Sequence, residues 1–200
     1  MNAFAQALDG LRVISDDADA DRDRALRKEQ LMATWERVPR GMHKFSTSPK
    51  FERAIAEWQP GTPMVLLGPT GAGKTSAVAR LVALLCRNAA DQGGDVFALA
   101  RSIFWVRADE LTSAGGAERD ESASKLMLRS EMCRLLVLDD VASSSKTLLR
   151  ILQRRYDGRR EVIVTAGARN AVELATTLGG HAPLRWILEG GKQPGKVVIA

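Results

Sequence analysis

Lys74, Thr75, Asp139 and Asp140 are the side chains whose types and spacing point most directly to chemistry. The first two close the run Gly68-Pro69-Thr70-Gly71-Ala72-Gly73-Lys74-Thr75, which fits G-x-x-x-x-G-K-[ST] at every position. Glycines in such a run let backbone N–H groups point at phosphate oxygens with no Cβ in the way. Lys74 is then expected to reach the β- and γ-phosphates of a nucleoside triphosphate, with Thr75 holding Mg²⁺ and Ser76 continuing the cradle. The bound Mg²⁺ prefers oxygen ligands and keeps several waters, so one nearby carboxylate is expected. Leu135-Leu136-Val137-Leu138-Asp139-Asp140 supplies it: four apolar residues, then two acids. Asp139 is assigned to the Mg²⁺ shell, through water, and Asp140 to polarising the water that attacks in line. Together these residues imply a nucleoside triphosphate and Mg²⁺ as the ligands.

The surrounding elements must hold these groups together. Residues 64–67 are a short apolar run, read as a buried parallel strand. The helix of residues 76–88 follows, with Val78, Leu81, Val82 and Leu85 at helical spacing. A helix N-terminus beside the glycine run adds partial positive charge. Asp91-Gln92-Gly93-Gly94 reads as a turn. Residues 103–111 read as a second buried strand and a helix start, and "TSAGGAERDES" as a polar loop. A helix is expected over 124–132, and a third strand over 134–141 that ends in the two acids. A helix over 146–156 and a fourth strand over 161–167 come next. A short helix over 171–178 is ended by Gly179-Gly180, one more helical turn is placed at 184–188, and "KVVIA" forms a last strand. Strands alternating with helices predict an α/β P-loop NTPase: a five-stranded parallel sheet with helices on both faces. The acids then sit at the C-terminal ends of strands, where open α/β sheets bind ligands.

Upstream, residues 1–40 differ in character. Five aspartates lie between Asp16 and Asp23, with Arg22 among them and Arg24, Arg27 and Lys28 after them. This reads as a charged linker or the polar start of a helix reaching about Arg37, with Leu26, Leu31 and Trp35 as a partial apolar stripe. It is either a solvated appendage or an arm that docks a partner. Pro39 ends any helix there. Thr47 or Ser48 is placed to cap a helix over 49–58, and Gln59-Pro60-Gly61 breaks the chain before the first strand. Residues 1–40 are therefore separated from an ATP-binding domain at 41–200.

Three further positions have two readings each. Thr165, at the end of the fourth strand, either hydrogen-bonds the γ-phosphate or its attacking water, or is an ordinary strand-end β-branched residue. Arg185, in "HAPLRWIL", either reaches the γ-phosphate of a neighbouring subunit or is a surface arginine. Arg150, Arg154, Arg155, Arg159 and Arg160 form either a solvated basic face or an interface with phosphates or an acidic surface.

Composition excludes several classes. The chain has 200 residues, with 45% hydrophobic and 26% charged, which suits a soluble globular domain. No apolar stretch is long enough to cross a bilayer. The first residues lack a basic region followed by a long apolar core, so no signal peptide is expected. Cys86 and Cys133 lie in apolar contexts and read as reduced thiols of a cytoplasmic protein; with two histidines they give no zinc site. A net charge of +5 is compatible with nucleic acid without requiring it.

The order of motifs resembles the AAA+ ATPases of the DnaC-type helicase-loader and IstB-type transposition-helper group. The matching stretches are "LLGPTGAGKTSAVARLVALL", "FWVRADEL", "LLVLDDV", "LLRILQRRYDGRREVIVTAG" with its Arg155-Tyr156 pair, and "PLRWIL". "WERVPRGMHKF" resembles the segment leading into the ATPase core. The resemblance implies an ATP-dependent homo-oligomer that assembles on single-stranded DNA with a replicative helicase or, alternatively, a transposase. It places Lys74, Thr75, Asp139 and Asp140 in the ATP site, Thr165 in the sensor strand and Arg185 near the arginine-finger position. The sequence departs from the pattern at Gly167, which stands where the group carries a sensor asparagine. That departure implies slow hydrolysis, or a nucleotide-gated binding module with negligible turnover. A small P-loop kinase is a third class, opposed by the Asp-Asp pair and by the lack of an arginine-rich lid.

Overall fold

The structure is a computed structural model and describes Val38, residues 45–116 and residues 121–200. The acidic run, the Leu26–Leu31–Trp35 stripe and Pro39 lie outside the described residues.

Ser48 caps helix α1 (Pro49–Ala56): its hydroxyl accepts the Phe51 N–H at 3.3 Å, and Pro49 occupies the first turn. Strand β1 (Met64–Leu67) runs into the glycine turn and then helix α2 (Lys74–Asp91). Helix α3 (Val96–Ser102) precedes strand β2 (Ile103–Arg107), and α4 (Ala108–Gly116) follows it. Next come α5 (Glu121–Met132), β3 (Leu135–Val141), α6 (Lys146–Asp157) and β4 (Val162–Ala166). Helices α7 (Ala171–Thr177) and α8 (His181–Glu189) lead to β5 (Lys196–Ile199).

All four strand pairings are parallel, in the order β2-β3-β4-β1-β5. The five-stranded parallel sheet expected from the alternating pattern is therefore present. The pleat sends alternate strand residues to opposite faces. Val65, Leu67, Phe104, Val106, Leu136, Leu138 and Val164 face one way and pack with Leu111 of α4, Leu148 and Ile151 of α6, Leu174 of α7 and Ile187 of α8. Met64, Leu66, Ile103, Trp105, Leu135, Val137 and Ile163 face the other way, against Phe51 of α1 and Ala77, Val78 and Leu81 of α2; Val38 joins this core. Because both faces are covered, the strands read as continuous apolar runs.

Local expectations are corrected in four places. Residues 112–116 of the expected polar loop continue helix α4, because Ala108 and Leu111 anchor that helix on the sheet. Helix α3 went unread; its buried contacts are few, and Asp95 caps it by accepting the Ala98 N–H at 3.0 Å. The turn placed at 184–188 is a nine-residue helix begun by Gly179 and Gly180, both at positive φ. Helix α1 stops at Ala56, where the Glu57 N–H returns to the Arg53 carbonyl.

The N-terminal pole of the sheet is tied by Arg155. Its side chain, on α6, is fully buried. Nη1 donates to the carbonyls of Ser130 at 2.8 Å and Cys133 at 2.9 Å, and Nη2 to those of Arg134 at 3.0 Å and Glu161 at 2.6 Å. One guanidinium thus holds the α5–β3 turn to the start of β4. Arg155 belongs to no basic face. Arg150 and Arg154 are also committed, both to the buried carboxylate of Glu131, at 3.6 and 2.6 Å.

Candidate active site at the C-terminal pole

The glycine turn joins β1 to α2, as the motif requires. Gly68 is buried beneath it, Pro69, Thr70 and Gly71 are exposed, and Ala72 and Gly73 lead into the helix. Gly71 and Gly73 have φ near +85° (85° and 84°), where a side chain strains the backbone. A Cβ at Gly73 would also come within 2.6 Å of the Ser46 carbonyl oxygen. Lys74 and Thr75 occupy the first turn of α2, and Ser76 is buried behind them. The Lys74 ammonium curls back over the turn and donates to the carbonyls of Gly68 at 2.7 Å and Pro69 at 2.9 Å. Burial lowers its pKa, and the carboxylates of Asp140 and Asp139 work against that shift.

Strand order brings the two motifs together. β4 lies between β1 and β3, so the ends of these three strands form one row. The Thr75 hydroxyl donates to Asp139 Oδ1 at 3.0 Å across that row. Thr165, at the end of β4, donates to the same Oδ1 at 2.6 Å. Its oxygen in turn accepts the backbone N–H of Asp140 at 2.9 Å. The Thr165 hydroxyl is therefore occupied as donor and acceptor within the protein. Thr165 thus links the two acids, a contact that neither reading of the residue anticipates.

Asp140 adopts φ 60°, a left-handed conformation uncommon for a side-chain-bearing residue. The β3–β4 register shifts between Leu138 and Val141, a bulge that turns Asp140 away from the ladder. Its carboxylate is 60% exposed, so water reaches it, whereas Asp139 is buried. The adjacent acids thus have different environments, one fixed by two hydroxyls and one wet.

Arg107 was missed. It ends β2 in register with Asp139, and its guanidinium lies 3.6 Å from Asp140 and 3.0 Å from Asp109. The stretch "FWVRADEL" shows only that an arginine closes an apolar strand; its place beside the acids comes from the β2–β3 pairing. Arg185 projects from α8 with its side chain 61% exposed, and its ion partner is Glu189 at 3.7 Å. It makes no hydrogen bond or ion pair with the cradle or the acids. Gly167 lies just past β4, exposed, and a Cβ there would meet nothing within 4 Å.

Among the described residues no group of three or more His, Cys, Asp or Glu forms a metal cage. One hydroxyl and one carboxylate converging at 3.0 Å beside a phosphate cradle fit an ion that keeps waters and shares phosphate oxygens. Thr75 and Asp139 are the residues able to hold it.

No family model matches the sequence, and no curated protein is close enough to count as a relative. Solved structures do match. The chain is similar to DnaI with a TM-score of 0.54 at 18% identity, covering 80% of this chain and 94% of that one. It is similar to AMPPCP-bound DnaA from Aquifex aeolicus with a TM-score of 0.51 at 16% identity, and to a DNA replication initiation factor at 0.51 and 18%. It covers 49% of each of the latter two chains, about half their length. Among the described residues no helix is long and apolar enough to cross a membrane. The chain therefore shares the fold of these solved structures, a parallel sheet with a phosphate-binding turn after its first strand.

Proposed function

We propose that this chain is an ATPase of DNA replication, a helicase loader of the DnaC type. It would bind ATP with Mg²⁺ in the cradle of residues 68–76 and assemble with a replicative helicase on single-stranded DNA. The observation that carries the ATP chemistry is the row Thr75–Asp139–Thr165, which places one fixed carboxylate beside a complete cradle. Mg²⁺ bound there would neutralise charge on the β- and γ-phosphates. Lys74 binds the phosphates, Thr75 and Asp139 hold the ion, and Thr165 fixes Asp139. Asp140, wet and turned outward, orients or deprotonates the attacking water. Arg107, beside Asp140, steers that carboxylate. Arg185, exposed on α8, acts on the nucleotide of a neighbouring copy in an ATP-dependent homo-oligomer. Residues 1–40 are the arm that docks the helicase, and residues 41–200 are the ATPase domain, in a cytoplasmic protein. The likeness to DnaI supports the loader reading over the IstB-like transposition helper.

Gly167 favours a second reading, a nucleotide-gated binding module with negligible turnover, since no side chain there reaches toward the γ-phosphate. Equilibrium ATP binding and phosphate release from one sample separate the two. The ATPase reading expects slow release that rises with single-stranded DNA, vanishes in Lys74→Ala and falls in Arg185→Ala. Binding with no release, with or without DNA, selects the module. A pull-down with and without residues 1–40 tests the partner; an unchanged partner set sinks the docking arm.

A further inference from the structure

The pole opposite the cradle carries a feature that ATP binding does not use. A cavity of about 340 Å³ is lined by Arg134, Arg159, Arg160 and Lys192 around one carboxylate, Glu161. These residues precede β3, β4 and β5, so the cavity sits at the strands' N-terminal ends. A second cavity of about 320 Å³ adjoins it, sharing Pro60, Arg134 and Glu161. Its walls are different: Trp58, Leu85 and Leu99, with Asn88 and Gln92 at the rim. The Trp58 indole is held in place by its N–H, which donates to the Thr62 carbonyl at 2.7 Å.

Charge in the first half is strongly one-sided. Glu161 is buried, and its carboxylate is occupied by the backbone N–H of Gly61. Arg134 approaches it at 3.7 Å with its side chain 63% exposed. Arg160 is anchored by donation to the Glu131 carbonyl at 3.0 Å. Arg159 and Lys192 have no side-chain hydrogen bond or ion pair among the described residues. Arg159 moreover sits at φ 48°, where glycine is the usual occupant of a helix exit. A cationic pocket continuous with an apolar, aromatic-walled one matches a nucleotide unit, phosphate in the first half and base in the second. Bases stack on aromatic and apolar walls without sequence preference, and arginines pair with backbone phosphates.

We infer that this groove at the N-terminal pole is a binding site for single-stranded nucleic acid, separate from the ATP cradle. It rests on the reading that the chain meets single-stranded DNA, and gives that contact a location. Strand phosphates sit against Arg134, Arg159 and Lys192, and a base sits against Trp58 and Leu99.

The test uses the full chain and a fluorescein-labelled oligo-dT, read by anisotropy over a salt series. The double variant Arg159→Gly/Lys192→Ala removes two cations, and glycine accepts the backbone at 159. It is expected to weaken binding roughly tenfold or more and to make the log Kd against log salt slope shallower by about 1.4. Unchanged ATP binding shows that it is folded. Oligomer-induced quenching of tryptophan fluorescence is expected to drop in Trp58→Phe. If wild type binds and both variants behave like it, the groove is overturned while the contact with DNA stands. If wild type does not bind oligo-dT, both fall, and ATP binding and hydrolysis are judged on their own assays. Displacement of the oligomer by dTMP or inorganic phosphate at comparable concentration overturns the strand as the source. Equal displacement by polyglutamate of matched charge overturns nucleic acid as the ligand.

Discussion

At the C-terminal ends of the strands, Thr75, Asp139 and Thr165 gather oxygen atoms around one carboxylate, in the first layer beneath an open cradle. At the N-terminal ends, the Arg155 guanidinium gathers the carbonyls of Ser130, Cys133, Arg134 and Glu161 in a closed interior. Both clusters cross the same strands, β3 and β4. The first concentrates acceptors that a cation and a phosphate would complete; the second consumes a cation to finish the backbone's own hydrogen bonds. An arginine cluster and an acid cluster on one sheet can therefore have opposite tasks. The difference lies in whether the partner is already within the protein.

That contrast predicts different losses from substitution. Arg155→Met strips four carbonyls of their donor in a buried setting and is expected to cost about 3–5 kcal/mol of stability. Chemical denaturation measures it, and ATP affinity of the folded fraction should stay unchanged. A loss under about 1 kcal/mol, the net worth of a single ordinary hydrogen bond, would break the distinction between the poles. Thr165→Val keeps shape and removes the hydroxyl between the acids. It is expected to lower phosphate release about 10- to 100-fold, with ATP binding retained. Retained turnover would mean that Asp139 needs no second hydroxyl. Gly167→Asn adds a side chain into open space, and we expect phosphate release to rise by roughly a few-fold, up to tenfold. Unaltered release would show that the bare position is not what limits hydrolysis.

The smallest effect concerns Glu161. Burial raises its pKa above the usual glutamate range, against the opposing influence of the Gly61 N–H and Arg134. A raised folded pKa means that the folded state holds the proton more tightly than the unfolded chain. The resulting stabilisation is full below the unfolded value, about 4.3, and is lost as pH rises through the folded one. Glu161→Gln removes this dependence and keeps an acceptor for Gly61. The variant is expected to gain on wild type in urea midpoints taken from about pH 5 to pH 8, and parallel curves would show that Glu161 is not the source.

The strands and the cradle were legible because each depends on contiguous residues. Met64–Leu67 and Leu135–Leu138 are apolar on both faces, and the glycine run needs eight neighbours in one order. What could not be read depends on register. Thr165 shows only that a strand ends in threonine. Its contacts with both acids appear once β4 lies between β1 and β3 and the Asp140 N–H points at it. Arg155 shows only charge. It is read correctly only when the α5–β3 turn is seen to leave four carbonyls facing α6. Arg107 is similar, since its proximity to Asp140 follows from β2 pairing with β3. Helix α4 continued through Gly115 and Gly116 against their propensity, carried by packing at Leu111.

The φ of 60° at Asp140 has a consequence for how this chain varies. Glycine at that position would relieve the backbone by about 1 kcal/mol and delete the wet carboxylate at the same step. Mutational drift filtered only for a well-folded product would run toward glycine there. A library sorted by thermal resistance, then sequenced, should be enriched in Asp140→Gly and depleted in turnover, while one sorted by turnover should hold the aspartate. On the proposed role of Asp140, the fold and the reaction compete for one residue, and the aspartate's persistence is a readable sign of which of them is being maintained.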